Sequence, residues 1–121
     1  MANSSNTVFR KYVKAEGPKV SHLRIDLYYD FGGFNGFTYR NDSRGYYLSV
    51  TPVERCDRGG YVTESQTLFR GVKQLIKEVA RKGASVAKEA EKIAMSHLNE
   101  LVNYICTKEN ITLLEEININ D

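Results

Sequence analysis

The chain has 121 residues, a hydrophobic content of 41%, a charged content of 26% and a formal net charge of +2. These values are typical of one globular domain, which excludes a wholly disordered chain and gives little global charge for binding a polyanion. No apolar run reaches the roughly 18–20 residues that cross a membrane. Because the first residues are also polar, we expect a cytoplasmic protein.

The first half of the chain predicts an antiparallel β-meander. Apolar and polar residues alternate over 20–30, which predicts a strand with one apolar and one polar face. A weaker alternation over 8–15 predicts a short edge strand, which Gly17 and Pro18 end.

Two further strands are predicted after a glycine-rich turn. They are 37–40 and 46–53, and a second turn at 41–45 separates them. Pro52 is expected at a sheet edge or at the end of a strand, because proline lacks an N–H donor for the ladder.

The period changes after the polar connection 57–60. Apolar residues over 68–79 follow helical spacing, and a second apolar stripe over 86–105 ends near Asn110. At Gly83 two interpretations compete. Either one helix ends and another begins, or one long helix continues because the stripe keeps its phase. One continuous helix is favoured. Such a helix would extend beyond the small sheet, and its uncovered apolar stripe predicts a homodimer.

The predicted fold class is therefore α+β, with a three- to four-stranded meander on one long or two shorter C-terminal helices. The chain is expected to form a single domain made of a flexible tail, a β-meander, a helical region and a C-terminal tail, at 1–7, 8–56, 65–109 and 110–121. The last segment is expected to add a strand or to pack across the helices. The dimer interface is expected on the helical stripe at Val86, Ala90, Ile93, His97 and Leu101.

Residues that carry catalysis or bind metal do not form a recognisable motif. The glycine-rich segment 32–36 is typical of a turn between strands, because neither a helix nor a lysine follows it as in a phosphate-binding loop. His22 and His97 have no partner at metal-ligand spacing. Cys56 and Cys106 are expected to be free thiols. We therefore expect a non-enzymatic protein without cofactor or metal.

Aromatic residues are concentrated in one segment. Eight of the thirteen lie within 27–47, interleaved with glycine and arginine. Aromatic and arginine side chains are over-represented where one protein surface binds another. This clustering predicts a partner-binding surface.

Two candidate surfaces follow. The first is the sheet face, and the second is a basic face of the predicted helix. The sheet-face candidates are Arg24, Tyr28, Arg40, Arg44 and Tyr47, and the helix candidates are Arg70, Lys73, Lys77 and Arg81. Four cations on one helical face can follow phosphates, so contact with nucleic acid is the alternative to contact with a protein.

Four segments carry a resemblance to a known family. They are 27–35 (LYYDFGGFN), 37–39 (FTY), 44–53 (RGYYLSVTPV) and 69–75 (FRGVKQL), all within 19–82. In these segments the chain resembles small proteins encoded on phages, plasmids and conjugative elements of Gram-positive bacteria.

The resemblance implies a function of a particular class. That family has no established enzyme activity, and its genetic setting is similar to that of anti-CRISPR and other anti-defence genes. It implies a protein in the cytoplasm of a bacterial host cell that binds and inhibits a host defence effector, with a Cas9-type ribonucleoprotein as the expected partner. The alternative is a small nucleic-acid-binding accessory or regulatory protein that uses a basic helix.

Overall fold

The computed structural model describes residues 7–35, 39–58, 61–66, 71–76 and 84–117. Over these ranges the chain is mostly antiparallel sheet with one C-terminal helix, so the predicted α+β class is confirmed at this level. The strands are β1 (Thr7–Gly17), β2 (Val20–Asp30), β3 (Gly33–Asn35), β4 (Arg40–Asp42), β5 (Gly45–Arg58), β6 (Tyr61–Gln66), β7 (Val72–Leu75) and β8 (Thr112–Leu113), and the helix is α1 (Ala84–Glu109). The predicted flexible tail lies outside the described residues except for Thr7, which begins β1.

The main sheet has the order β6-β5-β2-β1-β8, and β7 pairs with β5 outside this path. β3 and β4 form a separate two-stranded sheet. None of the helices formed by the described residues is long and apolar enough to cross a membrane.

The hairpin of β1 and β2 follows the prediction closely. β2 has the predicted bounds, and the turn lies at Pro18 and Lys19. Proline restrains φ in the first turn position, while Lys19 takes a left-handed φ of 57° in the second. β1 is longer than predicted, because its backbone pairs with β2 from Thr7 to Gly17.

The core lies between one face of the sheet and α1, and we call this the helix face. The apolar side of β2 is fully buried there, as the alternation predicts. Its main members are Leu23, Ile25, Leu27, Tyr29, Tyr46, Leu48 and Val50 from the sheet, and Ala90, Ala94, Leu98, Val102 and Ile105 from α1. Burial of each large aliphatic side chain contributes about 1.5–3 kcal/mol. The opposite side of the sheet is called the polar face.

β5 corrects the prediction for Pro52. The strand extends to Arg58, so Pro52 lies within it and not at its end, and Pro52 is buried opposite Leu23 of β2. On the other side of β5, the described register with β7 ends at Val50 and that with β6 begins at Val53. Proline is tolerated at this switch, since neither described register places a residue opposite it.

The prediction of a first helix is wrong for the residues that the structure describes in this region. Of the region predicted to be helical from residue 65, residues 65 and 66 belong to β6, and 72–75 form β7, and both strands pair with β5. Apolar residues a few positions apart fit a helix and a short strand equally, and backbone pairing with the long β5 outweighs the local period. A Cβ atom on Gly71 would lie 2.8 Å from Thr51 Oγ1, so the chain enters β7 in close contact with β5. The remaining residues of the predicted helix, 67–70 and 77–83, lie outside the described residues.

The long-helix prediction is therefore also wrong, because α1 begins at Ala84 and β7 precedes it. A hairpin of two helices is excluded over 72–75 for the same reason. The end of the helix is confirmed. Asn110 takes a left-handed φ of 57°, and the Ile111 N–H donates to the Cys106 carbonyl oxygen at 2.9 Å. This is a Schellman-type end, with buried Ile111 completing its apolar contact.

The segment after α1 adds a strand, which is one of its two predicted placements. β8 pairs with β1 at Ala15 and Glu16. The two tail residues of β8 thus lie beside the end of β1.

Candidate partner-binding surface

The connection between β2 and β5 projects a short ribbon from the sheet. The chain leaves β2 through Gly32 and Gly33, whose φ values of 84° and 114° favour glycine. The Gly32 N–H donates to Asp30 Oδ1 at 2.8 Å, which closes a local turn. β3 then pairs with β4. The strand predicted at 37–40 is corrected to Arg40–Asp42, and residues 36–38 lie outside the described residues.

Three aromatic rings on and beside this ribbon are exposed. Phe31, Phe34 and Tyr39 have exposed fractions of 57%, 67% and 81%. The rings of Phe34 and Tyr39 meet edge to face with centroids 6.3 Å apart. Large apolar rings clustered in water are unusual for a surface that only faces solvent, and they mark candidate binding sites.

Arg44 joins this aromatic group to the core. Its Nε–H donates to the Tyr29 hydroxyl oxygen at 2.6 Å, and its guanidinium carbon lies 6.0 Å from the ring centroids of both Tyr29 and Phe31. Tyr29 in turn meets Phe31 and buried Tyr46 edge to face, at 5.1 and 5.0 Å. The base of the ribbon is therefore rigidly packed while its outer rings are exposed. We call Phe31, Phe34, Tyr39 and Arg44 the aromatic ribbon.

The polar face carries a second group of aromatic and charged residues. Asp26 is the buried carboxylate among the described residues, with 4% of its surface exposed. It accepts hydrogen bonds from Arg10 Nε at 2.6 Å and from Arg24 Nε at 2.9 Å. Arg24 also pairs with Glu64, and Tyr12 donates its hydroxyl hydrogen to Glu64. These five residues form the ion-pair cluster.

The ion-pair cluster requires the sheet to curl toward the polar face. β2 and β5 separate β1 from β6, so a flat sheet would place these two strands roughly 14 Å apart. Tyr12 of β1 nevertheless contacts Glu64 of β6. The Arg55 guanidinium carbon lies 4.0 Å from the Tyr12 ring centroid, which adds a cation–π contact across the same concavity.

Local electrostatics fit a structural cluster. Burial, followed by the hydrogen bond to Glu64, raises the pKa of Tyr12, so this hydroxyl keeps its proton and donates. The hydrogen bond to Asp26 raises the pKa of Arg10. Burial and then the positive charge of Arg55 lower the pKa of His22, which lies beside Tyr12. No buried side-chain nitrogen or oxygen atom of the described residues lacks a hydrogen-bond partner. The cluster therefore satisfies itself.

The residues of the predicted sheet-face site do not form one exposed surface in the structure. Arg24 belongs to the ion-pair cluster, with only 15% of its side chain exposed, so it is not the solvent-facing residue that was expected. Tyr28 and Tyr47 stack on each other at 5.8 Å, and Tyr47 is buried. Arg44 is exposed as expected, whereas the Arg40 side chain lies outside the described residues.

The predicted basic helix is not present where the structure describes its residues. Lys73 lies on β7, and its ammonium nitrogen is 4.9 Å from the Tyr47 ring centroid. Arg70, Lys77 and Arg81 lie outside the described residues. The helical placement that grouped these four cations therefore does not hold for Lys73.

The predicted dimer stripe is used within the chain. Ala90 and Leu101 are buried, Val86 and Ile93 pack against the core, and His97 is half-buried. The stripe was expected to need a second copy because a long helix would overhang the sheet. Since α1 instead covers the chain's own sheet, the homodimer stays a prediction without that argument.

Groups for metal or thiol chemistry are sparse in the part of the chain that the structure describes. In that part of the chain, no group of three or more His, Cys, Asp or Glu side chains lies close enough together to hold a metal ion. Cys56 and Cys106 are free thiols, as predicted, and burial raises the pKa of Cys106, which lowers its reactivity.

The aromatic segment is evident in the sequence, but Phe31, Phe34 and Tyr39 were not predicted as site residues. The available signal was their position around Gly32 and Gly33 between two predicted strands, which is typical of a projecting connection. Side chains on such a connection face solvent more often than those within a strand.

Comparison with known proteins finds no match for this chain. No family model matches it, and neither the curated proteins nor the solved structures contain a significant match.

Proposed function

We propose that this chain is a non-enzymatic binding protein that inhibits a host defence effector, a Cas9-type ribonucleoprotein, by covering a surface that the effector needs. The observation that supports binding is the exposure of Phe31, Phe34 and Tyr39 beside Arg44. The class of partner comes from the resemblance of 27–35 and 44–53 to proteins of mobile elements.

The composition of the aromatic ribbon suits a protein–protein contact. Tyrosine, phenylalanine and arginine are enriched at the centres of interfaces, where a few residues supply most of the affinity. Aromatic rings bring large contact areas and lose little side-chain entropy. Burial of Phe34 and Tyr39 in a partner's apolar pocket would remove both exposed rings from water.

The base of the ribbon suits a preorganised contact. Tyr29 is buried and packs against Tyr46, and its hydroxyl oxygen accepts from Arg44. Ordering a surface on binding costs free energy, so residues held by the core before binding favour affinity. Arg44 keeps further N–H donors for a carboxylate or carbonyl group of the partner.

Inhibition by occlusion needs no chemical step from this chain. A bound protein excludes the effector's nucleic acid or its moving domain by volume alone. In this proposal the ribbon supplies the affinity, and the rest of the sheet and α1 supply the bulk that blocks the effector.

The nucleic-acid alternative loses its main support. It required Arg70, Lys73, Lys77 and Arg81 on one helical face, and Lys73 lies on β7. Tyr28 and Tyr47, the rings that could stack on bases, stack on each other.

The test is cleavage of target DNA by a purified Cas9–guide complex with increasing amounts of this protein. We expect the native chain to suppress cleavage and the double variant Phe34→Ala/Tyr39→Ala to need at least about tenfold more protein, since two interface anchors each contribute about 1–2 kcal/mol. Tyr104→Ala is the matched control, because Tyr104 is another exposed aromatic residue, on α1, outside the ribbon. It should inhibit like the native chain.

Three outcomes would contradict parts of the proposal. Absence of both binding and inhibition with the native chain overturns the Cas9-type partner. Equal potency of the double variant and the native chain overturns the ribbon as the binding surface. Inhibition that disappears steeply with added salt would indicate phosphate contact instead of a largely apolar protein contact.

A further inference from the structure

The outer edge of β1 is only partly paired. β1 runs from Thr7 to Gly17, whereas β8 pairs with it at Ala15 and Glu16 alone. Among the described residues, no strand lies along the outer side of 8–13. Within the described residues, this part of β1 is therefore an open sheet edge.

The direction of the backbone groups at this edge follows from Lys14. Its N–H donates to Glu115 Oε1 at 2.8 Å, and its carbonyl oxygen accepts from the Leu114 N–H at 2.9 Å, so both groups point outward. Backbone direction alternates along an antiparallel strand. Arg10 and Tyr12 therefore also direct their N–H and C=O groups to the open edge.

The chain's own tail shows which kind of segment this edge accepts. The tail enters as β8, and Glu115 follows two residues after its end. The Glu115 carboxylate then binds the Lys14 N–H. An extended segment followed by one acidic side chain, that of Glu115, is thus already bound at one end of β1.

Charge selects among the possible occupants of the rest of the edge. Between Thr7 and Lys14 the charged residues of β1 are Arg10, Lys11 and Lys14, all basic, and Asp26 of β2 is paired with Arg10, so the edge keeps a net positive charge. A symmetric antiparallel pairing of two β1 strands centred on Tyr12 would set Arg10 of one copy opposite Lys14 of the other. Like charges directly opposite across strands destabilise the pair. A second copy is disfavoured, and an acidic strand is favoured.

We propose that the open edge of β1 binds an extended acidic segment of a partner protein, which continues the line of β8 and adds a strand to the sheet. The N–H and C=O groups of Arg10 and Tyr12 form the ladder with this strand. Side chains directly opposite share a face of the sheet, so acidic residues at alternate positions lie on the polar face near the half-exposed Arg10 side chain. This site is separate from the aromatic ribbon, and it does not depend on the proposed function.

The test uses three synthetic peptides of the same length and the full chain. The first alternates glutamate and valine, the second alternates lysine and valine, and the third is the first with N-methyl groups on alternate amides. Binding is followed by NMR titration, together with hydrogen exchange of the Arg10 and Tyr12 amides. We expect the acidic peptide to bind at least about tenfold more tightly than the basic one and to slow exchange at both amides. The N-methylated peptide should lose most of this affinity.

A charge variant sharpens the test. Lys14→Glu should weaken binding of the acidic peptide severalfold, while Lys88→Glu, at an exposed position on α1, should not. The proposal is overturned if the acidic and basic peptides bind equally, if neither binds at millimolar concentration, or if the N-methylated peptide keeps its affinity. It is also overturned if exchange at Arg10 and Tyr12 is unchanged, or if light scattering shows that a second copy occupies the edge.

Discussion

The aromatic ribbon and the ion-pair cluster both contain tyrosine and arginine, but in opposite surroundings. In the cluster, Arg10 and Arg24 bind the Asp26 carboxylate, which is only 4% exposed, and Tyr12 donates its hydroxyl hydrogen to Glu64. In the ribbon, Tyr39 is 81% exposed and Phe34 is 67% exposed. Tyrosine and arginine therefore serve internal structure in one region and remain accessible in the other, and tertiary pairing decides which.

The largest effect on stability is expected from Asp26→Ala. Asp26 accepts from both Arg10 and Arg24, so its removal leaves a half-buried arginine without its main partner. Breaking a buried ion pair by deleting one member costs about 3–5 kcal/mol, and partial exposure of Arg10 places this site at the lower end. Urea denaturation should report a loss of about 3 kcal/mol.

The control for this prediction is Glu116→Ala, because Glu116 is exposed. Its expected change is below about 0.5 kcal/mol. If Asp26→Ala behaves like Glu116→Ala, the ion-pair cluster does not stabilise the sheet, and the comparison between the two regions fails.

A smaller effect is expected from Tyr12→Phe, which removes the hydroxyl that donates to Glu64. The loss should be about 1 kcal/mol. Because folding raises the pKa of Tyr12, its protonated hydroxyl contributes stability that is present below the unfolded pKa of about 10. That stability is lost as the pH rises through the folded pKa. Unfolding free energies measured at neutral and alkaline pH should show a weaker alkaline decline in Tyr12→Phe than in the native chain.

Arg44→Lys tests whether Arg44 holds the base of the aromatic ribbon against the core. Lysine keeps the charge but cannot donate from Nε to the Tyr29 hydroxyl as arginine does. We expect a loss of about 0.5–1 kcal/mol in urea denaturation, since one partly buried hydrogen bond is removed. No measurable loss would mean that the ribbon's base is not held by Arg44.

The smallest effect on stability is expected from Phe34→Ala/Tyr39→Ala. Both rings contact each other and are mostly exposed, so the unfolding free energy should change by less than about 0.5 kcal/mol. A loss above about 2 kcal/mol would show that the ribbon is a structural element. In that case its exposure would no longer support the proposed binding role.

Local patterns predicted those elements whose partners lie nearby or whose ends carry a strong signal. β2 has the predicted bounds because its alternation is strict, and α1 ends near Asn110 because that residue adopts the left-handed conformation of a helix end. β7 was mistaken for helix because its identity depends on pairing with β5, about 25 residues earlier in the chain. Its apolar spacing alone does not carry that information.

The candidate site was predicted only as a region of the chain. The excess of aromatic residues in 27–47 is visible in the sequence, but their exposure is not. Tyr29 and Tyr46 are buried while Phe31 and Tyr39 are exposed, although all four belong to the same segment. Arg24 was expected in solvent because alternation places it on the polar face, and the curl of the sheet that brings Glu64 to it arises from distant strands.

The position of α1 at the end of the chain has a consequence during synthesis. The strands β1, β2 and β5 are complete once Arg58 has been made, but α1 ends roughly fifty residues later. At translation rates of about 5–20 residues per second, the apolar side of β2 and β5 waits roughly 3–10 s for its cover. A nascent chain therefore exposes Ile25, Leu27 and Leu48 to solvent for seconds. Yield in cells should depend on how quickly the ribosome reaches α1 and on chaperones that bind the uncovered sheet.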